Sequence, residues 1–313
     1  MYNFRTDLAL ERRDIFKKAN NIEGNIPGIE STKKQVSDSI LVEKVRVINE
    51  EGESAIQKPI GDYITIDVKK MRNISEEEMQ KISDTVSVEL KSLIDKHIDE
   101  KGEILVVGLG NLYSTPDSLG PKVMQEIDVT RHIFKYLPQY VSENDREVSA
   151  VAPGVLGTTG LETQEILKGI VDNIKPKLLI VIDSLASKSI ERISSTVQLS
   201  DTGIIPGAGV GNKRRELSQE TLGIPVIAIG IPTVVELATL VSNGIDIFID
   251  RLQEKAESNE YLNRLQENDK YEDVKEALNV GEYNMIVTPK EIDELIENMK
   301  NVGIKTDNIK VLE

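Results

Sequence analysis

No cysteine occurs among the 313 residues, which excludes disulfides, thiolate-bound zinc and a thiol nucleophile. Tryptophan is absent and phenylalanine occurs only four times, so the core has to be built from aliphatic side chains. Histidine occurs twice, as His97 and His132, which leaves little from which to assemble a Ser-His-Asp triad or a histidine-rich metal site. No stretch approaches the ~18 consecutive uncharged apolar residues of a membrane span. Arg5, Asp7, Glu11, Arg12 and Arg13 stand where a signal peptide needs an apolar segment, so a cytoplasmic protein is expected. Positive charge is also in deficit. The 38 Lys and Arg against 53 Asp and Glu give a net charge of −15, which repels phosphate backbones and argues against direct nucleic-acid binding.

What the chain does contain is a succession of short apolar runs separated by glycine and proline. Residues 1–13 are polar and read as a mobile arm, and residues 21–37, with Gly24, Pro27 and Gly28, read as a loop. Residues 41–48 and 63–68 read as antiparallel or edge strands, separated by a turn-rich stretch over 52–61. In the second of these strands Ile64, Ile66 and Val68 share one face. Ser75-Glu-Glu-Glu78 has the capping-box spacing. Met79, Ile82, Val86, Leu90 and Leu93 then recur at helical steps towards a stop at Gly102, with His97 near the helix end, where the dipole favours a cation.

From Ile104 the order strand, turn, helix repeats. Strands are expected at 104–108, 148–152, 178–182, 195–199 and 225–230. Helices are expected at 161–174 and from Pro232 through Val235, Leu237, Leu240 and Val241, and Thr288-Pro289-Lys290-Glu291 opens a last one. The predicted fold is α/β. It has a mainly parallel, doubly wound sheet with helices on both faces, extra N-terminal strands, and C-terminal helices over about 250–313. With no repeat and no linker, residues 8–313 are expected to form a single domain.

Two aspartates occupy comparable places. Asp117 follows the first buried strand by one turn, and Asp183 ends the apolar run 178–182, so both should emerge at the carboxyl edge of one sheet, where open α/β sheets place ligands. Two carboxylates facing one cleft share a proton, one serving as base towards water and the other as acid. The alternative is that each caps a following helix, at Ser118 and Ser184. Gly108-Leu-Gly110 after a strand suggests a dinucleotide loop, with Asp128 at a suitable distance, but Tyr113 stands at the third glycine position. Pro206-Gly-Ala-Gly-Val-Gly-Asn-Lys-Arg-Arg215 reads either as an anion-binding loop or as a flexible surface loop. The residues alone therefore leave three functions open. These are a carboxylate-pair hydrolase, a doubly wound nucleotide-binding oxidoreductase, and an interaction scaffold on the acidic C-terminal segment.

Several motifs together resemble the germination protease family of spore endopeptidases. They are Thr115-Pro-Asp-Ser-Leu-Gly-Pro121, Ala150-Val-Ala-Pro-Gly-Val155 with Thr158-Thr159-Gly160, Val181-Ile-Asp-Ser-Leu-Ala186, and Ser200-Asp-Thr-Gly203 running into the glycine-rich loop. The resemblance implies an atypical aspartic endopeptidase that degrades small acid-soluble spore proteins in the spore core during germination. It assigns catalysis to Asp117 and Asp183, with no cofactor and no metal. It further implies a homotetramer made as a zymogen that processes itself. Arg5-Thr-Asp-Leu-Ala-Leu-Glu11 is similar to the family's processing site, so scission is expected between Asp7 and Leu8, with residues 1–7 as a propeptide that blocks the cleft. The fold is also similar to that of hydrogenase maturation peptidases, which hold a metal with two carboxylates and a later histidine. Here both histidines precede Asp183, and that ligand is missing.

Overall fold

The computed structural model describes residues 5–69, 74–98, 102–142, 145–207, 214–236, 240–241 and 286–287. Residues 1–4 of the arm, most of the expected C-terminal extension and the helix expected at Thr288 lie outside the described residues. The first half of the chain forms α1 (Ala9–Ala19), β1 (Ile29–Gln35), β2 (Ile40–Val47), α2 (Glu50–Ile56), β3 (Gly61–Val68) and α3 (Glu76–His97). Next come β4 (Ile104–Gly108), a 3₁₀ turn (Thr115–Asp117), α4 (Leu119–Glu126), α5 (Arg131–Tyr136), β5 (Val148–Val151), α6 (Leu156–Thr159) and α7 (Thr163–Ile174). The series closes with β6 (Leu178–Ser187), β7 (Thr196–Ser200), α8 (Gln219–Leu222), β8 (Val226–Glu236) and β9 (Ile286–Val287).

The strands form one sheet in the order β1-β2-β3-β7-β8-β6-β4-β5, with β9 beside β8. Strands β5, β4, β6 and β8 run parallel, and the N-terminal strands join them through antiparallel β7. The fold is α/β. Its parallel strands are apolar throughout because both faces are covered. Ile104, Val106, Leu178 and Ile180 pack with Ile82 and Leu93 of α3. The alternate residues Leu105, Val107, Leu179 and Val181 pack with Leu167 and Val171 of α7 and Leu222 of α8. A third cluster joins Val45, Val47 and Tyr63 to Ala9 and Leu10 of α1. Tyr63 is the only aromatic among the buried members of these clusters, as the shortage of Phe and Trp requires.

The capping box of α3 forms as its spacing predicts, Ser75 Oγ accepting from Glu78 N and a Glu78 oxygen accepting from Ser75 N. His97, in its last turn, lies 3.1 Å from an Asp201 carboxylate oxygen. Two elements arise where a loop and turns were expected. β1 has one buried residue, Ile29, followed by six exposed ones, so it carries no apolar alternation. It is an edge strand kept polar by Lys33 and Lys34, a usual protection of sheet edges. α2 starts where the Asn49 side chain accepts from Gly52 N, with Glu50, Glu51 and Glu53 in the first turn, where the dipole favours carboxylates.

The largest departure is at Pro232. No helix begins there, and β8 runs on to Glu236. Leu185 pairs with Pro232 and Ala186 with Val234, which leaves Thr233 as the extra residue of a bulge. A bulge is one of the few places where a strand tolerates proline. Pro232 is also used as an acceptor, by Ser194 N at 2.8 Å. Extension of β8 keeps β6 in the sheet as far as Ser187, so Asp183 lies within β6 instead of ending it.

Candidate active site

β6 outruns β4. Their pairing stops at Gly108 and Ile182, whereas β6 continues beside β8 to Ser187. Past Ile182 one edge of β6 would thus present unpaired backbone groups, which is costly when buried. The N-terminal arm fills that edge. Asp7 N donates to Ala186 O at 2.9 Å, and Ala186 N donates to Asp7 Oδ2 at 2.8 Å. Further along, the Glu11 carboxylate accepts from Lys188 N at 2.6 Å and Ser189 N at 3.0 Å. It also accepts from Thr6 Oγ1 at 2.5 Å and lies 3.4 Å from Arg192 Nε. Thr6, Leu8 and Ala9 are at most 2% exposed. The described part of the arm is therefore docked, which corrects the expectation of a mobile segment. The apolar Leu8-Ala9-Leu10 triplet is the signal that its charged neighbours hid.

Asp117 is held by its own loop. Asn111 N donates to both Asp117 O and Asp117 Oδ2 at 2.9 Å. Thr233, the bulge residue of β8, donates from Oγ1 to Pro116 O at 2.6 Å, which anchors the loop to the sheet. The two glycines that suggested a dinucleotide loop serve close packing. A Cβ at Gly108 would strike the backbone of Gly120 at the start of α4, and one at Gly110 would strike Asp117 O. Gly110 also has φ +113°, in the region that favours glycine. Gly110→Ala is expected to leave a folded chain whose Asp117 is displaced, with peptidase activity reduced about a hundredfold. Activity alongside circular dichroism checks this, and wild-type activity would contradict the loop's role.

Neither aspartate caps a helix. Asp183 Oδ1 accepts from Ser184 N at 2.8 Å inside β6, and Asp117 binds back to Asn111. Both face one cleft of about 300 Å³, with Asp7, Ser184, Thr233 and Arg214 among its other walls. Pro206 and Gly207 of the glycine-rich loop line it too, while residues 208–213 lie outside the described residues.

Asp183 is 5% exposed, and burial pushes its carboxyl well above the usual range. The Ser184 N–H partly offsets this, while the charges of Asp117 and Asp7 raise it further. Asp117, less buried, is raised by burial and lowered by the Asn111 N–H. Burial weighs more heavily on Asp183, so Asp117 is the more readily ionised of the two. The pair can thus present one carboxylate and one carboxylic acid in a single cleft. No group of three or more His, Asp or Glu side chains able to hold a metal occurs among the described residues.

Thr233 and Gln198 carry structural weight around this site without having stood out in the sequence. Neither belongs to a local motif, and each bonds to a partner more than a hundred residues away in sequence.

Comparison with known proteins agrees with these motifs. A family model described as germination protease matches residues 7–264. The germination protease of Clostridium perfringens is 44% identical over 313 residues, covering 99% of this chain and 95% of its own. That of Caldanaerobacter subterraneus is 45% identical over 302 residues, covering 94% and 90%. The Geobacillus protein of the same name is 40% identical over 343 residues, covering 96% and 92%. Similarity of this depth along nearly the whole length identifies the chain as a member of the germination protease family, a family of peptidases.

Proposed function

We propose that this peptidase is an aspartic endopeptidase in which Asp117 and Asp183 activate water against a peptide bond. The observation that carries the reading is the convergence of both aspartates on one cleft that also receives Asp7, the residue before the bond expected to be cut. Asp117, ionised first, takes a proton from water, whose oxygen adds to the carbonyl carbon. Asp183, whose protonated form burial favours, gives its proton to the departing amine nitrogen as the C–N bond breaks. The two groups end with their roles exchanged, and proton exchange with water resets them. The reaction in this reading needs no cofactor.

The substrates are small acid-soluble spore proteins, degraded in the spore core during germination. Residues 1–7 form a propeptide, 8–313 the peptidase domain, and the assembly is a homotetramer. Occupation of the cleft by Asp7 supports the zymogen reading, since a substrate chain and the arm compete for the same edge of β6.

Asp117→Asn tests the base. The variant keeps an oxygen for Asn111 N and is expected to fold normally while losing about 10²–10⁴-fold in hydrolysis of a small acid-soluble spore protein. Full activity would rule out the dyad.

A further inference from the structure

We propose that Gln198 is a third catalytic residue, donating its side-chain amide to the carbonyl oxygen of the bond that is cut. The inference rests on the peptidase reading above, and in particular on scission between Asp7 and Leu8. Gln198 Nε2 donates to the Asp7 carbonyl oxygen at 3.2 Å. Gln198 Oε1 accepts from Ala9 N at 2.8 Å. One side-chain amide thus holds the main chain on both sides of the Asp7–Leu8 peptide bond. The two contacts also fix the orientation of the amide, because a flipped group would place its oxygen against a carbonyl and its NH₂ against an N–H.

The sheet explains why Gln198 is in position to act with the aspartates. Asp183 of β6 is the register partner of Gly230 in β8, and Gly230 is the partner of Gln198 in β7. Residues opposite one another in a sheet project from the same face. Asp183 and Gln198 therefore stand on one face, about 10 Å apart by strand spacing, with the side-chain-free Gly230 between them. Leu185 lies over Gly230, where a Cβ would strike it. Asp7 and Leu185 border both the aspartate cleft and a neighbouring cavity of about 170 Å³ that Gln198 lines. The arm residue before the expected scission point thus spans from the dyad to this amide.

Glutamine is a costly choice at this place unless it has a polar task. Gln198 is 7% exposed, and a buried amide needs partners. Val197 and Leu199 point into the hydrophobic cluster on the opposite face, so the strand would accept an apolar residue here. Contacts to a carbonyl oxygen and an N–H are independent of the side chains of the bound peptide, so the same clamp serves a substrate that replaces the arm.

In the chemical step, water adds to the Asp7 carbonyl carbon and the C=O electron pair moves onto oxygen. Water's proton passes to the ionised aspartate. Gln198 N–H stabilises the growing negative charge without giving up its proton. The pair returns as the C–N bond breaks, and Leu8 nitrogen takes the proton of the other aspartate. The products are a new carboxyl at Asp7 and a new amine at Leu8. A donor aimed at such an oxygen is worth about 10²–10³ in rate.

The test uses the full-length chain, with the appearance of a chain beginning at Leu8 read by intact mass. Gln198→Glu keeps an acceptor for Ala9 N and removes the donor, and it is expected to slow scission at least a hundredfold at neutral pH. As pH falls and the introduced carboxyl becomes protonated, its O–H can donate. The ratio of variant to wild-type rate at the same pH should then rise at least tenfold, a change that a packing role would not produce. Gln198→Leu should be slow at every pH. Scission by Gln198→Glu at the wild-type rate, or a ratio that does not change with pH, would overturn the proposal while leaving the peptidase reading intact. Failure of the wild-type chain to cut after Asp7 under any of these conditions would overturn the processing reading and this proposal with it.

Discussion

Asp183→Asn is expected to abolish proteolysis and at the same time to raise the stability of the folded chain at neutral pH. The first effect follows from loss of the proposed proton donor, at about 10²–10⁴-fold in rate. The second follows from burial. Asp183 is held above its normal ionisation range by its surroundings, first by desolvation and then by the charges of Asp117 and Asp7. A carboxyl whose folded pKa is raised binds its proton more tightly when folded than when unfolded. Stability is therefore lost as pH climbs from the unfolded value, ~3.9, through the folded one. Asparagine does not ionise, and its oxygen can still accept from Ser184 N, so the variant avoids that loss. Calorimetry should show a higher midpoint for Asp183→Asn at pH 7 and convergence of the two proteins below about pH 4. Each ~1 kcal/mol gained moves the midpoint by roughly 1.5 °C in a protein of this size. A variant that is inactive and less stable at pH 7 would mean that Asp183 is ionised and structural.

Removal of residues 1–7 should have the opposite pair of consequences. A chain beginning at Leu8 is expected to hydrolyse substrate as synthesised, whereas the full chain should do so only after losing its arm. Truncation gives up the two hydrogen bonds between Asp7 and Ala186, the Gln198 bond to the Asp7 carbonyl oxygen, and the Thr6 contacts to Glu11, Leu8 N and Arg12 Nε. Each such bond contributes about 0.5–1.5 kcal/mol net, so a modest fall in melting temperature is expected. The remaining anchors, Glu11 on Lys188 and Ser189 and Ala9 on Gln198, lie beyond the cut. Truncation also removes one of the negative charges that raise Asp183. The alkaline fall in activity of the shortened chain should therefore occur at lower pH than the fall in self-scission of the full chain. Initial rates on a spore-protein substrate across pH would show both effects. A folded but inactive shortened chain would refute occlusion by the arm.

The parts of this site that could be read from sequence are those with a local signature. Asp117 follows an apolar strand, and Asp183 interrupts one, so both were marked by the residues before them. Ser75 and Glu78 announce α3 by spacing alone. The features that escaped depend on distant partners. Pro232 has the look of a helix start, and only the insertion of Thr233 opposite β6 shows why a proline is tolerated in that strand. β1 is a strand because Ser31, Lys33 and Gln35 pair with β2, not because its side chains alternate. Leu8 and Leu10 sit among charged neighbours, and their burial becomes evident only once Asp7 is seen docked on β6 and Leu10 is seen packed with Val45, Val47 and Tyr63. Gln198 lies between two core residues and has no motif around it. Its significance comes from two hydrogen bonds to a segment about 190 residues earlier in the chain.

If Asp117 and Asp183 act together on the bond that follows Asp7, the intact mass of the full-length chain during incubation over a pH series will report it. The wild-type protein is expected to lose residues 1–7, and folded Asp117→Asn and Asp183→Asn proteins are both expected to keep them. Scission after Asp7 at the wild-type rate in either variant, or at a different peptide bond in the wild type, would contradict their joint action on that bond.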